Sequence, residues 1–376
     1  MSFLIHVRRS LSNIPGWRTN RKIVVFESDD WGSIRMPSVR AYESLKKLGV
    51  DMDSGDSMRF NQYDTLANQE DLVQLFETLH AHKDHHGKPV VFTAVSLVAN
   101  PDFDKIRESD FTAYYYEPFT TTLTKYPNRE GVFDTWKQGI QAQVFKPQFH
   151  GREHLHVSGW LKALQQGDKP TRLAFDEGMW GFTNHHPTGF QYQAAFDVLE
   201  LSDLKEQGRI IEDGLRLFNE LFHNRATFFV PPNGPFNNSL EPVAASQGIK
   251  FMSASKIQFE ALGEGKTKRV LHYLGQRNMS NQVYITRNCF FEPSQEGRDW
   301  VSTCLQEIKS AFMWRKPAVI STHRVNYIGA LIPENRTRGL AFLNSLLRKI
   351  KMQWPDAEFM TSDQLGDLIN RSRNES

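Results

Sequence analysis

Three places in the sequence bring together side chains able to hydrolyse an acyl bond. Asp29 and Asp30 end the apolar run of KIVVFESDDWG. Adjacent carboxylates at a strand end can divide labour, one ligating a cation and one accepting a proton, although an aspartate there also suits the cap of a following helix. His150 and His154 lie in HGREHLH. An i, i+4 pair that starts at a strand end and continues into a helix can turn both imidazoles toward a metal. His323 closes AVISTH and is followed by Arg324, Asn326 and Tyr327. A protonated histidine there can donate to a departing amine or alkoxide. Two neutral histidines and one carboxylate form a three-ligand divalent site with open positions, the arrangement that acidifies water and polarises a carbonyl. The pairs His85-His86 and His185-His186 receive no role, because a histidine pair alone means little.

The elements that must position these residues follow from hydrophobic periodicity. Apolar runs at KIVVF, PVVFTAVSLV, VFKPQF, ATFFV, IKFMSA, VYIT and AVIST alternate with segments of helical period such as EDLVQLFETLHAHK, LSDLKEQGRIIEDGLRLFNELFH and ENRTRGLAFLNSLLRKIKMQ. Such alternation implies an α/β chain with parallel strands covered by helices, closed as a barrel or open and doubly wound. All three clusters end strands, and in a barrel those ends converge on one mouth. With no fixed-period repeat and no low-complexity linker, a single domain over residues 1–376 is expected. Insertions are expected at about 51–70, 100–131 and 174–200, read as irregular lids or binding loops.

Composition removes several classes. The chain has 376 residues with 45 basic and 43 acidic side chains, a formal charge of +2, and no basic block of the kind a nucleic-acid partner needs. Two cysteines, Cys289 and Cys304, exclude a disulfide framework and a cysteine zinc finger but allow one isolated bridge. No stretch is long enough to span a bilayer, and the N-terminus shows no signal-peptide pattern, so the expected compartment is the cytoplasm.

In their order along residues 22 to 368, these motifs resemble those of the polysaccharide deacetylases, metal-dependent carbohydrate esterases with a distorted (β/α)7 barrel. FESDDWG is similar to the family's first motif, which implies a base at Asp29 and a metal carboxylate at Asp30. HGREH is similar to the second, which implies metal ligation by His150 and His154. VPPNG with the later GIKFM resembles the third, VISTH resembles the fifth and implies a general acid at His323, and EFMTSDQL resembles the closing strand and helix start. Two departures stand out: Val230 and Asn233 replace the third motif's usual arginine and aromatic, and Asp299-Trp300 only partly echoes the fourth motif. Arg287 is a candidate for the missing guanidinium. The resemblance implies a divalent metal, zinc first, with Ni, Co, Fe and Mn also accommodated by such ligands. It implies removal of an acetyl group from an N- or O-acetylated sugar or a related small acylated amine. A backbone N–H near Asn233 would stabilise the oxyanion, and Trp31, Asn233, Gly234, Arg287, Arg324 and Tyr327 form the expected substrate contacts, the aromatics stacking on sugar rings.

Two other readings compete. His150-Gly-Arg-Glu153-His154 fits the H-x-x-E-H string of inverted zinc proteases, with Glu153 as base. Val230 and the incomplete fourth motif suit a catalytically silent barrel that binds glycans or a protein partner.

Overall fold

The structure is a computed structural model that describes residues 10–54 and 57–374. Part of the signal-peptide reading falls on residues 1–9, outside those described. Nine strands make one sheet: β1 (Ile23–Trp31), β2 (Phe92–Leu97), β3 (Phe145–Gly151), β4 (Phe228–Phe229), β5 (Phe251–Ser253), β6 (Val283–Ile285), β7 (Cys289–Phe290), β8 (Ala318–His323) and β9 (Glu358–Phe359). The order is β6-β5-β4-β3-β2-β1-β8-β7, with β9 added beside the start of β1, and every pairing in this sheet is parallel.

β6 and β7 are consecutive in the chain, yet the first pairs with β5 and the second with β8. One extended segment, 283–290, therefore joins the two edges of the curled sheet and occupies a single position in the ring. The ring is the distorted seven-position β/α barrel implied by the resemblance. Helices Gln69–His80, Val132–Gln141, Asp203–Phe222, Trp300–Met313 and Pro333–Gln353 alternate with the strands.

Strand periodicity sorts side chains between the barrel interior and the layer under the helices. Ile23, Val25, Val95, Phe228, Phe251, Val283, Ile285 and Val319 share one buried cluster that fills the bottom of the barrel. Val24, Phe26, Phe92, Ala94, Phe145, Ala318 and Ile320 belong to another, packed with apolar residues of the helices. Continuing the interior rows by steps of two leads from Val25 to Glu27 and Asp29, from Val319 to Ser321 and His323, and from Ile285 to Arg287.

A regular pleat would put Asp29 and Asp30 on opposite faces. Instead, β1 shifts register against β2 between Ser28 and Trp31, three steps on one strand matching two on the other. Asp30 takes a left-handed backbone with φ 75°, so the extra residue is a bulge that keeps both carboxylates at the barrel mouth. Gly32 follows with φ +86°, and a Cβ there would lie 2.3 Å from the carbonyl oxygen of Leu97.

The expected insertions hold more regular structure than their periodicity suggests. Segment 100–131 contains helices Phe103–Glu108 and Phe119–Lys125, and Tyr116–Pro118 pairs antiparallel with Ala99–Pro101. Segment 51–70 contains the helix Ser57–Tyr63. These elements are too short to show a period. Beyond the helix Lys169–Asp176, residues 177–200 are irregular. An antiparallel hairpin, Ile257–Ala261 with Thr267–Leu271, was not foreseen. Cys289 and Cys304 are both buried, and no disulfide joins them. Among the described residues, no helix is long and apolar enough to cross a membrane.

Gly32→Ala should cost on the order of 2–3 kcal/mol through strain and the clash with Leu97. Urea denaturation beside wild type tests this, and an unchanged midpoint would show that the bulge does not need glycine behind it.

Candidate active site

Asp30, His150 and His154 come together at the barrel mouth from β1, the end of β3 and the turn beyond it. All three are buried, and one ligand atom from each lies within 4.8 Å of the others. Both Nε2 atoms are 3.3 Å from Asp30 Oδ1. His150 Nδ1 is 2.7 Å from the carbonyl oxygen of Val230. A carbonyl only accepts, so that nitrogen carries the proton and Nε2 presents its lone pair.

Burial pulls the His154 pKa down and keeps the ring neutral. Burial acts to raise the Asp30 pKa, but the His150 and His154 rings beside it, with the His323 charge behind them, outweigh it and hold the carboxyl well below its usual range. Two neutral nitrogens and a carboxylate oxygen facing one point form a donor set suited to a divalent cation. His154 Nδ1 is buried with no partner among the described residues, and Trp180 stacks on the ring at 5.9 Å.

The route to this geometry differs from the expected helical face. His150 belongs to β3, Gly151 has φ 126°, and the next helix begins only at Val157. The turn, not a helix, returns His154 toward His150. The third histidine of the cluster, His156, caps that helix by accepting from the Gly159 N–H at 3.1 Å. This arrangement removes the zinc-protease reading. Residues 150–154 are not helical, and both Glu153 oxygens accept from Arg152, at 2.7 and 2.8 Å.

Asp29 lies beside the ligand set. Arg287 donates to its two oxygens at 2.6 and 2.7 Å, to Glu27 at 2.5 Å and to Ser321 Oγ at 3.0 Å. Glu27 is fully buried and also accepts from Ser362 Oγ at 2.8 Å. A guanidinium from position 287 thus holds Asp29, where the third motif has Val230. His323 pairs in register with Asp29 across β1 and β8, its Nε2 3.9 Å from Asp29 Oδ2. Its Nδ1 is 2.6 Å from Glu292 Oε1. Burial lowers the His323 pKa, but the Glu292 charge and hydrogen bond, with Asp30 and Asp29 behind them, push it up to about 9. Burial acts upward on Glu292 too, yet His323 and Arg59 hold it down at about 2. Arg59 donates to Glu292 Oε2 at 2.7 Å.

Asp29, Asp30, His150, His154, Asn233, Gly234, Arg287 and His323 all line one cavity of about 560 Å³. Asn233 and Gly234 form a turn with φ 57° and 92°. Trp31, Arg324 and Tyr327 do not line the cavity, which corrects their expected substrate contacts. The bulge sends Trp31 outward, where its Nε1 donates to Ser28 Oγ at 3.0 Å and its ring packs edge-on to Phe145 at 4.9 Å. Beyond His323 the chain turns inward at Arg324–Asn326. Arg324 is consequently buried against Asp64 at 2.8 Å, and the Tyr327 hydroxyl against Thr322 Oγ1 at 2.7 Å. Glu27 belongs to the carboxylate cluster at the end of the first apolar run, whereas Arg35, Arg59 and Glu292 carry no expectation from the sequence. Glu292 was within reach of the strand-end criterion, since it closes the run NCFFE.

No family model and no curated protein matches the sequence. Among solved structures, the chain is similar to a provisionally assigned polysaccharide deacetylase from Mycobacterium smegmatis, at 11% identity over 96% of this chain and 94% of that one, with a TM-score of 0.45. It is similar to a probable polysaccharide deacetylase from Pseudomonas aeruginosa PAO1, at 11% identity over 94% and 92%, with a TM-score of 0.46. It is also similar to the peptidoglycan deacetylase PdaC from Bacillus subtilis, at 11% identity over 94% and 93%, with a TM-score of 0.36.

Purified protein should carry near-stoichiometric divalent metal by elemental analysis, and Asp30→Ala and His154→Ala should each abolish it. Wild type that takes up no Zn, Ni or Co on reconstitution would refute the ligand assignment. Arg287→Gln, by leaving Glu27 and Asp29 without their counter-ion, should destabilise the fold by about 3 kcal/mol or more in urea unfolding. A loss near zero would show that Arg287 does not close the barrel.

Proposed function

We propose that the chain is a metal-dependent hydrolase that removes an acyl group, an acetyl in the first instance, from an N- or O-acylated sugar or a related amide. The observation that carries this reading is the convergence of the Asp30, His150 and His154 ligand atoms within 4.8 Å, inside a cavity that also exposes Asp29 and His323. The motif resemblance points the same way.

A divalent cation held by those three residues would supply Lewis acidity, polarising an acyl oxygen and acidifying water. Asp29 is placed to take a proton from the attacking water, its carboxylate aimed by Arg287. His323 carries a proton at neutral pH because of Glu292, and is placed to give it to the leaving amine or alkoxide. The turn at Asn233 and Gly234 borders the cavity where a backbone N–H could meet a developing oxyanion. Zinc is the first expectation, and the donor set also accepts Ni, Co, Fe or Mn. The silent-barrel reading rests on Val230 and on the incomplete fourth motif, and the guanidinium of Arg287 on Asp29 answers the first of these.

Asp29→Asn should abolish release of acetate from acetylated amino sugars while metal content stays at the wild-type level. Full activity in that variant would refute the base. The rate should fall as pH rises and His323 loses its proton, with a midpoint at or below about 9 in the metal-loaded enzyme. Glu292→Gln removes the charge that raises this pKa, so the alkaline limb should move to lower pH. A pH–rate profile unchanged by that substitution would remove His323 from the acid role.

A further inference from the structure

Arg35 stands five residues beyond Asp30, in the loop that follows β1. It lines the catalytic cavity and is 6% exposed. Its backbone is pinned on both sides. The Ile34 N–H donates to Asn100 Oδ1 at 2.8 Å and the Met36 N–H to the Asp64 carbonyl at 2.9 Å, while the carbonyls of Ser33 and Ile34 accept from Arg324 and Trp180. The guanidinium carbon lies 5.1 Å from the Phe60 ring centre and 5.6 Å from that of Trp180. Gly181 leaves room for it, since a Cβ there would be 3.1 Å from Nε.

Among the described residues this guanidinium makes no hydrogen bond and no ion pair. Its Nε is sealed without a partner, whereas its terminal nitrogens are not sealed. The carboxylates whose charge reaches it are engaged elsewhere. Asp64 Oδ1 accepts from Arg324 Nε and Nη2 at 3.0 and 2.8 Å, and Asp30 Oδ1 sits 3.3 Å from both ligand histidines. The flanking rings offer cation–π attraction but no hydrogen-bond acceptor. A buried guanidinium held rigidly without an acceptor is costly unless something else completes it.

We infer that Arg35 binds an anionic group of the substrate, a carboxylate taken by its terminal nitrogens, and that the acyl compound hydrolysed is therefore an acid rather than a neutral sugar. The inference rests on the reading of this cavity as a hydrolase's substrate site. Arginine suits a planar carboxylate because its nitrogens can donate in parallel. Position narrows the class further. Trp180 also stacks on His154, and Phe60 lies edge-on to His323 at 5.5 Å. The bound carboxylate is thus within one side chain of the reacting centre, and it belongs to the same unit as the acyl group: an acylated sugar acid, amino acid or hydroxy acid.

The test is calorimetric titration of malonate and of inorganic phosphate into wild type, Arg35→Gln, Arg35→Lys and Gly181→Ala, each as purified with metal and after chelation. Malonate should bind wild type in both states. Arg35→Gln should weaken it on the order of ten- to a hundredfold, the loss of a charged hydrogen-bonded pair. Arg35→Lys should retain part of the affinity, and Gly181→Ala should reduce it by displacing the guanidinium. Binding that disappears on chelation yet is unchanged in Arg35→Gln would make the metal the anion site and overturn the inference. So would no binding to wild type, or an Arg35→Gln variant that melts earlier but keeps its anion affinity. Phosphate bound more tightly than malonate would overturn the carboxylate assignment in favour of a phosphate ester. Because binding to the chelated protein is read without turnover, this inference and the hydrolase reading can fail separately.

Discussion

A guanidinium between two carboxylates holds the barrel shut. Arg287 sits on the single segment that pairs with β5 at one end and β8 at the other, and it reaches across the mouth to Glu27 and Asp29 on β1. The ring depends on this reach, because β6 and β7 are so short that backbone pairing alone ties the closing segment weakly. Burying such a cluster is not the cheapest way to join two strands, since well-packed apolar groups of similar size are often as stable or more so. What the charged version adds is direction. Two parallel donors fix the plane of the Asp29 carboxylate beside the ligand set, so closure of the fold and aim of the reactive group are one interaction.

The same strand end shows how a small backbone irregularity divides chemical labour. In a regular pleat, one of two adjacent aspartates would face the helices and be lost to the site. The bulge gives Asp30 its left-handed backbone and keeps it at the mouth, next to Asp29 but turned toward the histidines instead of Arg287. The cost of the unusual φ is met by packing that over-determines it, with Gly32 closing against Leu97 and the following loop bonded at Ser33, Ile34 and Met36. That loop carries Arg35, so the bulge also determines where this guanidinium, without an acceptor among the described residues, stands.

Much of this could be read from residue order. The alternation of strands and helices carries the fold class, and the placement of acidic and histidine residues at strand ends carries the candidate pair Asp29 and His323, since steps of two along Val25, Glu27 and Asp29 or Val319, Ser321 and His323 keep one face. The misreadings have definite physical causes. Trp31 is two residues from Asp29 and looked like its neighbour, but one extra residue at the bulge reverses the parity and sends the ring under the helices. Arg324 and Tyr327 follow a catalytic-looking histidine, but the chain turns inward there. Arg35 and Arg59 were invisible because their importance lies in what surrounds them: one lacks an acceptor, and the other holds Glu292 from a helix too short to have a period. No local pattern carries such information.

Charge accounting connects the halves of the site. Glu27, Asp29, Asp30, Glu241 and Glu292 bring at most five negative charges to the cavity and its rim, and Arg287, Arg59, Arg35, Lys256 and protonated His323 bring at most five positive ones. The protein side of the site is therefore close to neutral, or positive if buried Glu27, whose pKa is raised by desolvation, holds a proton. A divalent cation at Asp30, His150 and His154 would then leave an excess of about two positive charges in the cavity, where partial removal from bulk water strengthens each interaction. In the proposed acyl transfer, an oxyanion would offset one of them. The charge that remains is nearest Arg35, whose own loop supplies no acceptor, and a substrate that brings its own carboxylate would leave the loaded cavity balanced at the stage when the oxyanion develops.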